Sequence, residues 1–121
     1  MISLNYRDAK PIYEQIQDGF RKLILTGVLK ADEKLPSVRS LASELAINPN
    51  TIQRAYNSLE SEGYIYSVVG KGSFVNGERN PSSARKEELL QQAREIAAEL
   101  RYLRVSQEEL QSIFKGGEND D

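Results

Sequence analysis

Five polar side chains follow closely on one another at the start of a predicted helix: Asn48, Asn50, Thr51, Gln53 and Arg54. Amide and guanidinium groups can form paired hydrogen bonds with DNA base edges, and hydroxyl groups and arginines also bind phosphate oxygens. The same residue types are common at helix starts because they cap free N–H groups there. The cluster therefore indicates either a surface that reads nucleic acid or an ordinary helix start, depending on the elements around it.

Two short helices joined by a three-residue turn are predicted around this cluster. The first follows Ser37 and the second follows Asn48, and both residue types accept hydrogen bonds from first-turn N–H groups. The apolar faces are Val38, Leu41, Ala42 and Leu45 in the first helix, and Ile52, Ala55, Tyr56 and Leu59 in the second. Gly63 ends the second helix. This pattern predicts a helix-turn-helix, whose second helix lies in the DNA major groove.

Further elements are predicted on both sides of the helix pair. A helix with Pro11 in its first turn stops at Gly27, with apolar residues at helical spacing. Residues 64–69 and 73–75 read as two strands joined by a tight glycine-containing turn, and we expect Ile65 and Phe74 to pack this hairpin against the helices. The predicted fold class is mainly α with a small β-hairpin, a winged helix-turn-helix.

A separate helical region is predicted after a polar linker at residues 76–83. Its apolar residues step by four and three along the chain: Leu89, Ala93, Ile96, Leu100 and Leu103. A further helix, capped by Ser106 and Glu109, is predicted after it. The narrow seam can pack on its own domain, on this following helix or on a helix of a partner chain. Since a linker detaches it, we favour a partner helix, and therefore dimerisation. The acidic tail, 116–121, is expected to be disordered.

Composition bounds the function classes. The chain has 121 residues and net charge −2, and it contains neither cysteine nor histidine. This removes most nucleophile–base pairs and most zinc or iron sites, so we expect no metal and no cofactor. Residues 1–77 carry nine basic and eight acidic side chains, so DNA binding would depend on a local basic face. With no signal pattern and no membrane span predicted, a cytoplasmic protein is the simplest expectation.

Residues 11–75 closely resemble the DNA-binding domain of the GntR family of bacterial transcription regulators. The motifs are Pro-Ile-Tyr-Glu-Gln-Ile at 11–16, Leu-Pro-Ser-Val-Arg at 35–39, Leu-Ala-Ser-Glu-Leu at 41–45, Leu-Glu-Ser-Glu-Gly at 59–63 and Gly-Lys-Gly-Ser-Phe-Val at 70–75. The residues at 48–56 and the short C-terminal region resemble the YtrA-type subfamily. The resemblance implies a homodimer on a palindromic operator, with dimer contacts from the C-terminal helices.

The resemblance also implies which residues meet DNA. The predicted DNA-binding set is Ser37, Arg39, Asn48, Asn50, Thr51, Gln53, Arg54, Lys71 and Gly72. Many family members carry arginine where this chain has Pro49 and Gln53, so another member's operator cannot be transferred to it.

Each of these contacts has an ordinary structural alternative. Arg39 can clamp a phosphate or remain an exposed charge, and Gln53 can pair with adenine or remain solvated helix surface. Arg54 can reach a phosphate, a guanine or a carboxylate of its own chain. Lys71 can approach a phosphate or the minor groove, with Gly72 permitting close approach, or it can be a plain hairpin turn.

The predicted organisation is a DNA-binding domain at 1–77 and a linker, dimerisation helices and tail at 78–121. The predicted function is a homodimeric, sequence-specific transcription regulator, a repressor, with double-stranded DNA as partner and no membrane. The alternative is a winged-helix module that binds proteins and not DNA. An enzyme is not expected, because Glu60 and Glu62 stand at i, i+2 and do not face each other on a helix. The sequence identifies no small-molecule effector.

Overall fold

The computed structural model describes residues 2–77 and 83–115 of the chain, and only the backbone of residues 83 and 84. Two compact units are present, Met1–Ser82 and Ser83–Asp121. The elements in chain order are α1 (Ile12–Leu25), α2 (Val38–Leu45), α3 (Pro49–Ser61), β1 (Ile65–Val68), β2 (Gly72–Val75), α4 (Ser83–Tyr102) and α5 (Gln107–Lys115). Most of the predicted linker and the whole predicted tail lie outside the described residues. No helix in the described ranges is long and apolar enough to cross a membrane.

The core of the first unit lies between α1 and α3. Ile16 and Phe20 of α1 and Ile52 and Leu59 of α3 are completely buried. The Phe20 ring meets the Tyr56 ring edge-on, with centroids 5.6 Å apart, an arrangement that aromatic pairs favour. The inward faces predicted from the helical spacing are confirmed. Each large side chain buried in this way contributes about 1.5–3 kcal/mol relative to an exposed one.

The turn between α2 and α3 has the predicted three residues. Ala46 adopts the left-handed conformation with φ 56°, and the N–H of Ile47 donates to the Ala42 carbonyl at 3.0 Å. The side chain of Asn48 then accepts a hydrogen bond from the N–H of Asn50 at 2.8 Å, and Pro49 occupies the first helical position. The left-handed residue reverses the chain so that α2 packs against α3, which sets α3 on the surface of the unit.

The hairpin packs through a different residue from the one predicted. Ile65 of β1 lies opposite Val75 of β2, and both are buried. Phe74 lies opposite Tyr66 and stacks on its ring with centroids 5.6 Å apart. Side chains alternate between the two faces of a strand, so Phe74 and Val75 point in opposite directions. The prediction was right for Ile65 and wrong for Phe74, because the strand register turns Val75 and not Phe74 toward the core.

The segment before α2 pairs with the hairpin. The N–H of Leu35 donates to the Ser73 carbonyl, the N–H of Val75 donates to the Glu33 carbonyl, and both distances are 2.9 Å. Tyr56 of α3 donates its hydroxyl hydrogen to the Pro36 carbonyl at 2.7 Å. Burial raises the pKa of Tyr56, so the hydroxyl keeps its hydrogen at alkaline pH where an exposed tyrosine would ionise. These bonds hold the hairpin, the start of α2 and α3 in one arrangement.

The second unit is a long helix followed by a short one. With 20 residues, α4 is about 30 Å long. The chain turns at Arg104, which has φ 70°, and the N–H of Val105 donates to the Leu100 carbonyl at 3.0 Å. Ser106 accepts a hydrogen bond from the N–H of Glu109 at 3.1 Å, as the predicted cap requires. Leu110 is the buried residue of α5.

Candidate nucleic-acid interface

The outward face of α3 is polar and accessible. Asn50, Gln53, Arg54 and Asn57 are exposed, while the apolar residues of the same helix are buried. Thr51 is half-buried. Because α3 has 13 residues, it is about 20 Å long, and a helix of this length can lie across a major groove. The exposed face therefore supplies amide and guanidinium groups on a rigid rod.

Gln53 is joined to a residue that the sequence analysis missed. Its Nε2 donates to Oδ1 of Asn57 at 2.9 Å, one helical turn along α3. Gln53 retains its Oε1 acceptor and a second Nε2 hydrogen, the pair of groups that adenine requires. The i, i+4 spacing of two amides was the available sequence signal. Asn57 therefore belongs to the candidate surface as the residue that orders Gln53.

Among the described residues, the guanidinium of Arg54 contacts an aromatic ring. Its guanidinium carbon lies 3.8 Å from the centroid of the Tyr13 ring on α1. Within the described residues Arg54 forms no ion pair, so the predicted carboxylate alternative is not observed there. The residue stands about 100° round α3 from Gln53. The structure thus places the two side chains on different edges of the same exposed face.

The two helix caps carry out their capping role. The Ser37 hydroxyl accepts a hydrogen bond from the N–H of Ser40 at 3.1 Å, and Asn48 accepts one from Asn50 as described above. Both residues remain exposed, so a contact with DNA stays a prediction for them. Arg39, in the first turn of α2, is exposed and belongs to no ion pair in the part of the chain that the structure describes.

A cleft of about 180 Å³ separates the hairpin from the start of α2. Lys71 and Gly72 line it from the hairpin, Ser37 lines it from α2, and Lys34 lines it from the segment that pairs with β2. The sequence analysis missed Lys34, because only the pairing of residues 33–35 with β2 brings it near Lys71. A Cβ atom on Gly72 would lie 2.9 Å from Cε of Lys34. Glycine thus leaves room for the lysine beside the turn.

Carboxylates of the same unit are engaged elsewhere. Arg21 bridges Asp18 and Glu62, with N–O distances of 2.8 Å to each. Partial burial alone would raise the pKa of Asp18, but its hydrogen bond to Lys10 and the charges of Lys10 and Arg21 outweigh this effect and lower that pKa. Tyr66 donates its hydroxyl hydrogen to Asp32 at 2.8 Å. Asp18, Glu62 and Asp32 therefore already have partners within their own unit.

The seam of α4 is largely accessible. Leu89, Ile96 and Leu103 are 41%, 60% and 61% exposed, while Ala93 and Leu100 are half-buried. On α5, Ile113 and Phe114 are also exposed. Isolated exposed apolar residues are ordinary, but a row of them along one helix is typical of an association surface. The role of this row in dimerisation stays a prediction.

Known proteins share both the sequence and the fold of this chain. The family model described as bacterial regulatory proteins, gntR family, matches residues 12–75. The HTH-type transcriptional repressor YtrA of Bacillus subtilis is 35% identical over an alignment of 130 positions that covers 100% of each chain.

Solved structures extend the comparison to the fold. A transcriptional antiterminator from Listeria monocytogenes EGD-e has TM-score 0.78 and 34% identity, covering 99% of this chain and 91% of its own. The AraR DNA-binding domain in complex with operator ORR3 has TM-score 0.54 and 32% identity, covering 60% of this chain and 88% of its own.

These findings settle the class of protein. The relatives bear the names of transcription regulators, in agreement with the prediction that the chain is not an enzyme. They favour a DNA-binding regulator over the protein-binding module. The mostly helical fold with its two-stranded hairpin and C-terminal helices is confirmed by the full-length structural match. A winged helix-turn-helix with a polar recognition helix, matched in sequence over residues 12–75, shows that the chain belongs to the GntR family of transcription regulators, in its YtrA-type subfamily.

Proposed function

We propose that this protein is a homodimeric transcriptional repressor that binds a palindromic operator, with α3 of each protomer in a major groove. The exposed polar face of α3 carries the proposal, because buried apolar residues fix the helix and leave Gln53, Asn50 and Arg54 accessible. The relative YtrA is named a repressor, and the AraR domain was solved on operator DNA. Bacterial chromosomal DNA lies in the cytoplasm, so the proposed function locates the protein there.

Three groups of residues have distinct roles in this proposal. Gln53 and Asn50 contact base edges, with Thr51 beside them at the start of α3. Arg39 and Lys71 bind backbone phosphates, and Gly72 allows the hairpin to approach the duplex. Ser37 and Asn48 cap their helices and orient the first-turn N–H groups toward the same backbone.

Dimerisation belongs to the second unit. Residues 1–77 are the proposed DNA-binding domain, and residues 78–121 hold the linker and the helices that associate with a second copy. The exposed seam of α4 supports this assignment, with Leu89, Ile96 and Leu103 burying their side chains against the partner. Two-fold symmetry of the protein would be mirrored in the operator, with half-site centres about 10 base pairs apart or a multiple of this spacing.

Selection of bound duplexes from a random pool tests this function. We expect the protein to enrich one motif with two inverted half-sites, at about 50 mM and at about 200 mM salt, with affinity falling steeply between them. The combined variant Arg39→Ala, Arg54→Ala, Lys71→Ala should retain the dimer and its thermal stability but lose DNA retention. An unchanged pool at both salt concentrations would contradict the proposal. Loss of the dimer in the triple variant would show that the arginines and lysine act in assembly.

A further inference from the structure

Tyr13 is positioned to control Arg54 although it lies outside the helix-turn-helix. It is the second residue of α1, it is half-buried, and its ring faces the guanidinium of Arg54 at 3.8 Å. Its hydroxyl donates to Oε1 of Glu14 at 3.2 Å, so the ring is also held from its own helix. Resting on the proposed DNA-binding function, we infer that Tyr13 is a positioning residue that holds Arg54 as a phosphate clamp on the α1 edge of α3.

The geometry of the contact leaves the donors of Arg54 available. A cation over an aromatic ring is attracted through the face of the guanidinium, while its five N–H donors lie in the plane and point outward. Within the described residues, no carboxylate or carbonyl accepts from Arg54. The stack therefore orders the side chain without using any of the hydrogen bonds that a phosphate would require.

The position of Arg54 on α3 indicates which part of the DNA it contacts. The buried face of the helix includes Ile52 and Leu59, and Gln53 and Arg54 stand about 100° apart on the outer side. If Gln53 faces base edges, Arg54 lies on the side of α3 next to α1. That side of the helix would meet the wall of the groove, which is formed by backbone phosphates. Arg54 then adds affinity on any sequence, whereas Gln53 selects the sequence.

Ordering the Arg54 side chain before binding should strengthen DNA affinity by a measurable amount. A free arginine loses rotamer freedom when a phosphate immobilises it, and this loss of entropy opposes binding. An arginine that already rests on Tyr13 loses less at that step. Replacing the ring should therefore weaken affinity about threefold to tenfold while the charge of Arg54 remains present.

Binding measurements on four single variants and one double variant test the inference, with the duplex enriched by the wild-type protein as probe. We expect Tyr13→Leu and Arg54→Lys to weaken affinity about threefold to tenfold, and Tyr13→Phe to remain within about twofold because it keeps the ring. Arg54→Ala should also make the negative slope of log K against log salt shallower by about 0.9. Adding Tyr13→Leu to Arg54→Ala should cause no further loss, since the ring then has nothing to hold.

A second measurement uses the free protein. Proton NMR of the Arg54 side chain should show ring-current shifts in the wild type and in Tyr13→Phe, and these should disappear in Tyr13→Leu. Thermal unfolding of Tyr13→Leu separates loss of positioning from loss of fold, because only a folded variant with weakened binding agrees with the inference. Tyr13→Phe as weak as Tyr13→Leu would assign the effect to the hydroxyl and overturn the stacking role.

The outcomes also separate this inference from the proposed function. A wild-type protein that selects a duplex, together with Tyr13→Leu that binds it equally well, overturns the role of Tyr13 alone. Additive losses for Tyr13→Leu and Arg54→Ala overturn it as well, because independent sites give additive free energies. A wild-type protein that selects no duplex overturns the function, and the role of Tyr13 in DNA binding falls with it.

Discussion

Lysines of one short segment reach different surroundings in this protein. Lys30 and Lys34 are both exposed and both precede α2. The backbone N–H of Lys30 donates to Glu33 at 3.0 Å, within its own turn. Lys34 lies beside the hairpin and shares the cleft with Lys71. The difference arises from pairing with β2 and gives Lys34 alone a position next to the proposed phosphate contacts.

Lys34→Ala is expected to weaken operator affinity about fivefold to tenfold, the effect of losing one charge-assisted hydrogen bond of about 1–1.5 kcal/mol. The negative slope of log K against log salt should become shallower by about 0.9, since one fewer counterion is released. Lys30→Ala removes the same charge from the same segment and should leave the slope unchanged. Equal slopes for the wild type and Lys34→Ala would show that Lys34 meets no phosphate.

Among the elements, the turn between α2 and α3 stores strain that can be measured. Ala46 has φ 56° and is exposed, so its Cβ meets the crowding of the left-handed region without a compensating contact in the core. An L-residue in this conformation is less stable than glycine by about 1–2 kcal/mol. The orientation of α3 depends on this turn, because α3 starts three residues after Ala46.

Ala46→Gly should therefore stabilise the protein by about 0.5 kcal/mol, after the greater freedom of glycine in the unfolded chain offsets part of the relief. Ala46→Val, with a branched Cβ at the same position, should destabilise it by more than about 1 kcal/mol. Urea unfolding midpoints of the two variants measure both effects. Equal midpoints for glycine, alanine and valine at position 46 would show that the turn is not strained.

For the whole molecule, the proposed function assigns DNA binding to the first unit and assembly to the second. The first unit has its own core and carries the polar face of α3, whereas α4 presents a row of exposed apolar side chains. In the proposed complex, a protomer with one recognition helix contacts one half-site. Joining two protomers makes the second contact intramolecular and raises the overall affinity.

Ile96→Glu combined with Leu103→Glu should give a monomer. Dimerisation would then bury the two introduced carboxylates without partners of opposite charge, which is unfavourable. Sedimentation velocity should show the change of mass, and the unfolding of the first unit should be unaffected. Gln91→Glu with Ala98→Glu adds two charges about 180° round α4 from the seam and serves as the control. A dimer that survives the first pair of changes would place the association surface elsewhere.

Local sequence patterns were sufficient to predict most of the helices and the candidate contact residues of this protein. Apolar spacing, capping residues and prolines located α1, α2 and α3, because helical periodicity and first-turn hydrogen bonds depend on neighbours within a few residues. The same reasoning located the turn after α2 and the polar face of α3. It selected Gln53 and Arg54 as candidate contacts because their chemistry and helix position are both local properties.

Tertiary structure decided which side chains meet. The strand register turned Val75 inward and Phe74 outward, the pairing of residues 33–35 with β2 brought Lys34 to Lys71, and the packing of α1 on α3 placed Tyr13 under Arg54. These partners lie up to about 40 residues apart in the sequence, and no local period links them. They follow from how the elements pack, since burying the apolar faces together is what fixes the relative positions of the polar residues on their edges.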